Sequence, residues 1–405
     1  MHIIINEIIL EHFATSQGDV PLWVWELSDQ KAEDVERRIH KLLLHNHNLQ
    51  RYLVDHWNEI EDFKIDMIFQ MLQCVQGSLG GMVFRCNKCG HEKFLPFSCN
   101  SRVCVRCGKK YAEQWGRTFM NKCLPQDHRH VIFTLPPPLW ELIKNNEEIL
   151  LKDMLDAAKA VIEQVFTKQF KGRKIIPGMI AVIHFIGRGL NYNPHIHMLA
   201  TEGGLNKVGN WEPLDFFPYK MMNECWKAEI LRRFRFHMKH DLDVKALIDS
   251  QWKYRFGDGT NGYVVKNFRN IMDLSKGKEE AKQIGSYFAR YLRHPPVGES
   301  RLKKYDGETV TVKYEWDNKL LEVEVSIECF ISALFLNIPP KGFKLVRWWG
   351  LYSPRYSRWA RRCLCIVRMV VRTLESFSER YKKKSLPRVV CQYCKVVMQI
   401  IEVLY

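Results

Sequence analysis

The sequence lacks the features that would place it in a membrane, in the secretory pathway or among nucleotide hydrolases. No stretch of about 18 apolar residues occurs, which excludes a membrane-spanning helix. Residues 1–11 are apolar but carry Glu7 and Glu11 and no basic start, so they do not match a secretory signal peptide. No Walker-type phosphate loop occurs, so an ATP-driven reaction is not expected. We therefore expect a cytoplasmic protein with no membrane partner.

Acidic residues are in the minority. The 45 Asp and Glu face 61 Lys and Arg, a net charge of +16 over 405 residues. The chain has 46% hydrophobic and 12% aromatic residues, enough for a core, which excludes a disordered basic tail protein. At roughly 150 residues per domain, the length predicts two or three domains, and internal repeats are absent. A folded protein with this excess of positive charge is typically one that binds nucleic acid.

Most of the positive charge lies near the C-terminus. Residues 341–390 contain 14 Lys and Arg and two Glu, a net charge of +12. Aromatic residues alternate with these arginines, a composition typical of surfaces that follow phosphates and stack on unpaired bases. The predicted DNA contacts in this segment are Arg347, Trp348, Arg355 and Arg358. The alternative is a solvated helix face with its aromatic residues in the core.

The chain has 13 cysteines and no secretion signal, which favours metal ligands or core thiols over a disulfide framework. Cys86 and Cys89 form one CxxC knuckle, and Cys104 and Cys107 form another, with 14 residues between the pairs. Two knuckles at this spacing predict a single tetrahedral Zn²⁺ held by four thiolates, a closed site that shapes a DNA-binding module without taking part in chemistry.

Four other cysteine and histidine positions leave alternatives open. Cys99 and His91 lie between the two knuckles, where either could replace a ligand or pack and cap. Cys391 and Cys394 form a further CxxC pair, which could be a second zinc knuckle or two ordinary thiols.

A short motif of alternating histidines predicts a metal half-site. His195 and His197 lie in an apolar run that reads as a β-strand, and residues two apart on a strand point to the same face. The run 178–201 predicts a β-hairpin with turn-rich residues in its middle. If His184 lies across from His197, three imidazoles share one face, because directly opposed residues project together. Three histidines leave positions open for substrate oxygens on a divalent ion.

A tyrosine pair supplies candidate nucleophiles. Tyr287 and Tyr291 lie four apart in a segment that predicts a helix, so they share a face. Two phenols aimed at one metal site suggest attack on phosphorus, and the neighbouring Arg290 and Arg293 make the region suited to phosphate. Taken alone, such a pair is more commonly core packing.

Together these motifs resemble the two-tyrosine rolling-circle transposases of the HUH (His-hydrophobic-His) nuclease superfamily, in the insertion-sequence branch that has an N-terminal zinc-binding domain. The likeness covers most of the chain, and the order of the motifs makes it specific. They are CVQGSLGGMVFRCNKCG (74–90), SCNSRVCVRCG (98–108), HVIFTLP (130–136), HFIGRGLNYNPHIHML (184–199), YFARYLRHPPVGESRL (287–302), YDGETVTVKY (305–314) and IPPKGFKLVRWWGLYS (338–353).

The resemblance implies an α+β fold with a central antiparallel sheet flanked by helices. On this basis four regions are expected. They are an N-terminal helical region at 1–80, a zinc ribbon at 81–112, the nuclease domain at 125–302 and a basic, helical, DNA-binding region at 303–405. Asn193 departs from the family, where histidine is expected in many relatives.

The resemblance also implies site roles and a mechanism. His195 and His197 would bind Mg²⁺ or Mn²⁺, with His184 as a third ligand, and Tyr287 and Tyr291 would attack single-stranded DNA. Each attack would leave a 5′-phosphotyrosine and a free 3′-hydroxyl at a transposon end, and strand transfer would follow. The expected partners are transposon ends and target DNA, in the nucleoid. Two alternatives remain: a replication initiator or relaxase, and a catalytically inert zinc-dependent DNA-binding protein.

Overall fold

The computed structural model describes residues 38–124, 126–187, 189–255, 262–270, 297–316, 319–364 and 389–404. The helices it defines are α1 (Arg38–Leu44), α2 (Asn48–His56), α3 (Asp62–Leu72), α4 (Val105–Lys122), α5 (Trp140–Lys144), α6 (Glu147–Gln169), α7 (Tyr219–His237), α8 (Leu242–Ser250) and α9 (Ile327–Leu336). Residues 357–364 are also helical. None of the helices in this part of the chain combines the length and apolar character that crossing a lipid bilayer requires.

The strands form three antiparallel sheets. They are β1 (Gly81–Arg85), β2 (Glu92–Pro96), β3 (His128–Phe133), β4 (Ile176–Ile186), β5 (Tyr192–Leu205), β6 (Trp211–Pro213), β7 (Val265–Asn270), β8 (Leu302–Tyr305), β9 (Thr309–Trp316), β10 (Lys319–Ser326), β11 (Val346–Gly350) and β12 (Gln399–Leu404). The largest sheet has the order β11-β4-β5-β3-β7, with β6 paired to the end of β5. The expected α+β fold, an antiparallel sheet flanked by helices, is confirmed.

One face of the six-stranded sheet is covered by α6 and α7. Every second residue of β4 and β5 points to this face, as a period of two requires, and packs against both helices. Met179, Ala181 and Ile183 of β4 are fully or almost fully buried there. Trp226 of α7 joins this core and donates its ring N–H to the carbonyl of Thr134, 2.7 Å away. We call this the helix-covered face.

The opposite face carries the intervening residues of β4 and β5. Ile180, Val182 and Leu199 pack there against α4 and against residues 351–364. The Tyr352 hydroxyl is 2.6 Å from Nε2 of His128 and accepts the backbone N–H of Leu124 at 3.1 Å. This second layer covers only part of the face. His184, His195 and His197 lie on the same side, and we call it the histidine face.

A second core joins segments that are far apart in the sequence. The helices α1–α3 pack with the three-stranded sheet β10-β9-β8 and with α9. The sequence at 304–324, with an Asp306-Gly307 turn, predicts a single hairpin. The turn is present, because Asp306 accepts the backbone N–H groups of Glu308 and Thr309, but it joins β8 to β9 in a three-stranded meander.

The C-terminal region at 303–405 is therefore not a separate unit in the described part of the chain. Its β8–β10 segment packs on the N-terminal helices, β11 extends the six-stranded sheet by pairing with β4, and β12 pairs with β1. The boundary expected at residue 302 is wrong, since β11 belongs to the same sheet as the histidines. The helix predicted around Tyr287 and Tyr291 and the part of the basic C-terminal region at 365–388 lie outside the described residues.

Candidate functional site

Three histidines converge on the histidine face. His184 lies on β4, whereas His195 and His197 lie on β5, and one ring nitrogen of each lies within 4.8 Å of the others. The ring centroids of His184 and His197 are 4.6 Å apart, and those of His184 and His195 are 5.3 Å apart. His197 is 4% exposed, while the other two rings are half-buried. The arrangement is a partly open cup of three imidazoles.

The hairpin register differs from the expected one. His184 lies opposite His195, and Val182 lies opposite His197. The prediction that His184 lies across from His197 is wrong by two residues. Because the difference is an even number, the side chain of His184 still projects to the same face. His184 therefore lies directly opposite His195 and diagonally opposite His197, and all three rings line the cup.

Two hydrogen bonds orient the rings of the β5 histidines. Nδ1 of His195 lies 2.6 Å from the carbonyl oxygen of Asn193, to which it donates, so its lone pair is on Nε2. Nδ1 of His197 lies 2.9 Å from Nε2 of His130 on β3. When His197 donates to His130, its lone pair is likewise on Nε2. Since Asn193 acts through its backbone, its departure from the family pattern leaves this contact in place.

His130 is a site residue that we did not select from the sequence. It is fully buried on β3, which lies beside β5, and burial lowers its pKa to about 3. It is therefore neutral near pH 7 and keeps one nitrogen as an acceptor. The signal was available, because His128 and His130 lie two apart in HRHVIFTLP (128–136), an apolar run typical of a β-strand, where residues two apart share one face.

The three imidazoles fit a divalent transition-metal ion. Metal–nitrogen bonds of about 2.0–2.1 Å hold nitrogens within about 4 Å of each other, so small side-chain rotations would close the cup around an ion. All three donors are nitrogens, whereas Mg²⁺ prefers oxygen ligands in an octahedron. Of the two ions expected, the donor set favours Mn²⁺.

The candidate nucleophiles lie outside the described residues. Tyr287, Tyr291, Arg290 and Arg293 all fall within 271–296. The segment 271–296 follows directly after β7, the strand that pairs with β3. Lys266 on β7 lies opposite Ile132, which lies opposite His197, so Lys266 projects to the histidine face and is exposed. After His130, it is a second residue of this face that we did not select from the sequence, and it carries a positive charge.

The cysteines form two clusters. Cys74, Cys99, Cys104 and Cys107 lie within 4.8 Å of one another through their sulfurs, and so do Cys86, Cys89, Cys391 and Cys394. The prediction that Cys86, Cys89, Cys104 and Cys107 share one ion is therefore wrong. The reason is that the first knuckle lies at the tip of the β1–β2 hairpin, whose five residues per strand span about 17 Å. Cys74 and Cys99 lie at the open end of that hairpin.

The cluster at the open end, which we call the inner cluster, has the spacing of a zinc site. Sulfur–sulfur distances are 3.7 Å for Cys74–Cys107 and Cys99–Cys107 and 3.8 Å for Cys74–Cys104. Zn–S bonds of about 2.3 Å in a tetrahedron place sulfurs about 3.8 Å apart. Cys104 immediately precedes α4 and Cys107 lies in its first turn, so the start of this helix provides two of the four sulfurs. His91, the other candidate replacement ligand, packs instead on the Tyr393 ring.

The aromatic and basic residues near the C-terminus have separate surroundings. Trp348 lies on β11 opposite Ile180 and packs against Trp115 and Tyr352, with ring centroids 5.9 and 6.0 Å apart. Arg347, its neighbour, faces the other side of the sheet and lies over the Phe343 ring. Solvent exposure is instead found at four arginines, namely Arg355, Arg358, Arg361 and Arg362. The tryptophan thus packs in a core, as the alternative interpretation expects, while these arginines remain accessible to phosphates.

The comparisons with known proteins agree with this geometry. A family model described as "Putative transposase" matches residues 178–359, which include the three histidines. A second, described as "Transposase zinc-binding domain", matches residues 44–135, which include the inner cluster. Together these matches support an IS91-family transposase with an N-terminal zinc-binding domain.

Two curated relatives of this transposase carry related descriptions. The "Transposase for insertion sequence element IS801" of Pseudomonas savastanoi pv. phaseolicola is 28% identical, over 73% of this chain and 72% of the relative. The "Putative transposase y4qJ" of Sinorhizobium fredii is 25% identical, over 70% of this chain and 73% of the relative. No solved structure matches the chain significantly.

Proposed function

We propose that this transposase nicks and rejoins single-stranded DNA at the ends of its insertion sequence through a 5′-phosphotyrosine intermediate, in a metal-dependent, rolling-circle transposition. The observation that carries the proposal is the cup of three imidazoles on a partly open sheet face. A closed four-ligand site would serve only structure, whereas three ligands leave positions for substrate oxygens. The exposed Lys266 on the same face supports it, because a cation there can hold the DNA backbone.

In the proposed reaction, the phenol oxygen of Tyr287 or Tyr291 attacks the scissile phosphorus. The bond from phosphorus to the 3′ oxygen breaks, that oxygen takes up a proton, and the 5′ phosphate stays on the tyrosine. A divalent ion bound by the imidazoles would act as a Lewis acid on the scissile phosphate. The ester retains the energy of the broken bond, so an incoming 3′-hydroxyl can reverse the attack and join a new strand.

Covalent capture tests the proposal. Labelled single strands that tile the DNA flanking the coding region are incubated with the protein and Mn²⁺ or Mg²⁺, and the adduct is measured on a denaturing gel. We expect an adduct with single-stranded but not duplex DNA, and at a lower concentration of Mn²⁺ than of Mg²⁺, because the donors are nitrogens. Tyr287→Phe combined with Tyr291→Phe should abolish the adduct, since both phenol oxygens are removed.

The controls separate chemistry from folding. Tyr314→Phe, on β9, removes a tyrosine hydroxyl away from the histidine cup and should leave the adduct unchanged. His195→Ala combined with His197→Ala should abolish the adduct while DNA binding, measured by mobility shift, persists. An adduct that survives loss of both tyrosines would show that another nucleophile acts.

A further inference from the structure

The second cysteine cluster brings together two segments that are far apart in the sequence. Cys86 and Cys89 lie between β1 and β2, whereas Cys391 and Cys394 precede β12, and Cys89 and Cys391 are 302 residues apart. Their sulfurs are 3.6 Å apart, and all four sulfurs lie within 4.8 Å of one another. A disulfide requires about 2.05 Å, whereas two thiolates on one tetrahedral zinc lie about 3.8 Å apart. The spacing is that of a metal site.

Both halves of the cluster have the same backbone turn. The N–H of Gly90 donates to the carbonyl of Cys86 at 2.8 Å, and the N–H of Lys395 donates to that of Cys391 at 2.9 Å. The residue after the second cysteine has a positive φ in both, +72° at Gly90 and +57° at Lys395. A left-handed lysine is unfavourable by about 1 kcal/mol, so the conformation needs support from its surroundings. The second pair is thus a knuckle built like the first.

The surroundings hold the two knuckles together. β1 pairs with β12 along its whole length, from Gly81 opposite Leu404 to Arg85 opposite Gln399. A small core of five buried residues fills the space between the knuckles, namely Phe84, Cys86, Val389, Cys391 and Met398. The rings of His91 and Tyr393 also meet edge to face, one from each knuckle, at 4.9 Å. Each knuckle provides two thiols, and only the pair of knuckles completes a set of four.

The number of cysteines in the N-terminal zinc-binding module also indicates that the second site needs ligands from elsewhere in the chain. The zinc-binding family match at 44–135 contains seven cysteines, of which four form the inner cluster and one, Cys123, lies beside the Tyr352 hydroxyl, outside both clusters. The remaining Cys86 and Cys89 provide only half of a tetrahedral site. Their partners lie more than 250 residues beyond the end of that match.

We propose that Cys86, Cys89, Cys391 and Cys394 bind a second structural zinc ion, which fastens the zinc-binding module to the C-terminal residues. We call this site the clasp. Four thiolates close the coordination sphere, so the ion has no open position and takes no part in the chemistry at the histidine cup. Its role is to fix the end of the chain beside β1, and through it one end of the basic segment that precedes residue 389.

Counting zinc tests the clasp independently of DNA cleavage. The full-length protein, desalted after purification, is analysed by inductively coupled plasma mass spectrometry for zinc per chain. With Mn²⁺ absent, we expect two zinc ions in the wild type, one in Cys391→Ser with Cys394→Ser, and one in Cys104→Ser with Cys107→Ser. Cys225→Ser with Cys329→Ser, which removes two cysteines outside both clusters, should retain two. One zinc in the wild type, or two in the Cys391 and Cys394 variant, would overturn the proposal.

Alkylation of the wild-type protein keeps the test decisive if a variant fails to fold. Iodoacetamide labelling is followed by mass spectrometry with and without a zinc chelator. Cys89 is exposed, so burial does not shield its sulfur from the reagent. We expect Cys89, Cys391 and Cys394 to label only after chelation, whereas the exposed Cys329 labels in both conditions. Labelling of Cys391 and Cys394 at equal rates with and without chelator would contradict the clasp.

Discussion

At the scale of the residue, His130 determines how His197 presents its lone pair. The two rings are 2.9 Å apart through Nε2 of His130 and Nδ1 of His197, and both are buried. Partners of this kind fix the tautomer and orientation of a metal-binding histidine, and their loss commonly costs 10- to 100-fold in metal affinity. His130 is thus a positioning residue, which acts on the site through His197.

We expect His130→Phe to raise the Mn²⁺ concentration for half-maximal adduct formation by about 10- to 100-fold, because phenylalanine removes the acceptor for His197. His130→Gln, whose amide oxygen can accept the same hydrogen bond, should restore part of the affinity. The measurement is a Mn²⁺ titration of the adduct, with zinc content per chain as the control for folding. An unchanged Mn²⁺ requirement in the phenylalanine variant would show that His130 only fills space.

The sequence predicted some of these residues for definite reasons. His195 and His197 were found because strand periodicity is local, and their shared face follows from a spacing of two. The partner of His184 was missed by two residues because the register depends on the turn at 187–191, whose geometry the sequence does not specify. His130 contacts the site across strands 67 residues apart in sequence, which a local pattern does not reveal.

At the scale of the element, β11 closes one edge of the six-stranded sheet. Its last residue, Gly350, has a φ of +55° and lies opposite Gly178 of β4. A Cβ at Gly350 would lie 1.7 Å from the carbonyl oxygen of Pro177, which accepts the N–H of Leu351. The absence of a side chain at this position lets β11 lie against β4 and turn into residues 351–364.

We expect Gly350→Ala to lower the free energy of unfolding by about 2–4 kcal/mol, because it adds a backbone clash to the strain of a left-handed alanine. Gly342→Ala is the matched control. The φ of Gly342 is also positive, at +79°, but a Cβ added there would have no other atom within 4 Å. That control should cost about 1 kcal/mol. Urea unfolding followed by circular dichroism compares the two, and equal losses would mean that β11 tolerates displacement.

The elements themselves were largely predictable, but their partners were not. The β4–β5 hairpin, β3, α6 and α7 follow from periodicity and from turn residues close to them in sequence. β11 joins β4 from 160 or more residues away, and β12 joins β1 from still farther. Such pairings depend on the packing of the whole chain, so the C-terminal region was wrongly expected to be separate.

At the scale of the whole molecule, the charge of +16 is distributed unevenly along the chain, with +12 in residues 341–390. The exposed arginines of residues 355–362 belong to a segment that packs on the histidine face. Cations on the side where the imidazoles open would hold the phosphates of a single strand beside the site. Binding by this means releases counterions, so the affinity falls as salt rises.

A variant with four arginines changed to Gln, namely Arg355, Arg358, Arg361 and Arg362, should bind DNA with a weaker salt dependence. We expect the slope of log K for DNA binding against log salt to become shallower by about 3, since each contact with a single-stranded phosphate contributes about 0.7. The matched control changes four exposed cations on α7 or just after its end, namely Lys220, Arg232, Arg235 and Lys239, since α7 packs on the helix-covered face. Fluorescence anisotropy with a single-stranded oligonucleotide at several salt concentrations measures both. Equal salt dependences of DNA binding in the two variants would show that these four arginines do not contact the DNA.

The pairing of β1 with β12 also sets an order of events during synthesis. At about 5–20 residues per second, a ribosome needs about 15–60 s to add the 302 residues between Cys89 and Cys391. During that time one edge of β1 lacks its partner strand, and the first knuckle has two thiols but no second pair. The inner cluster has all its ligands once residue 107 has emerged. The clasp would therefore be completed after the inner cluster, so only a chain translated beyond Cys394 would present a finished zinc-binding module to DNA.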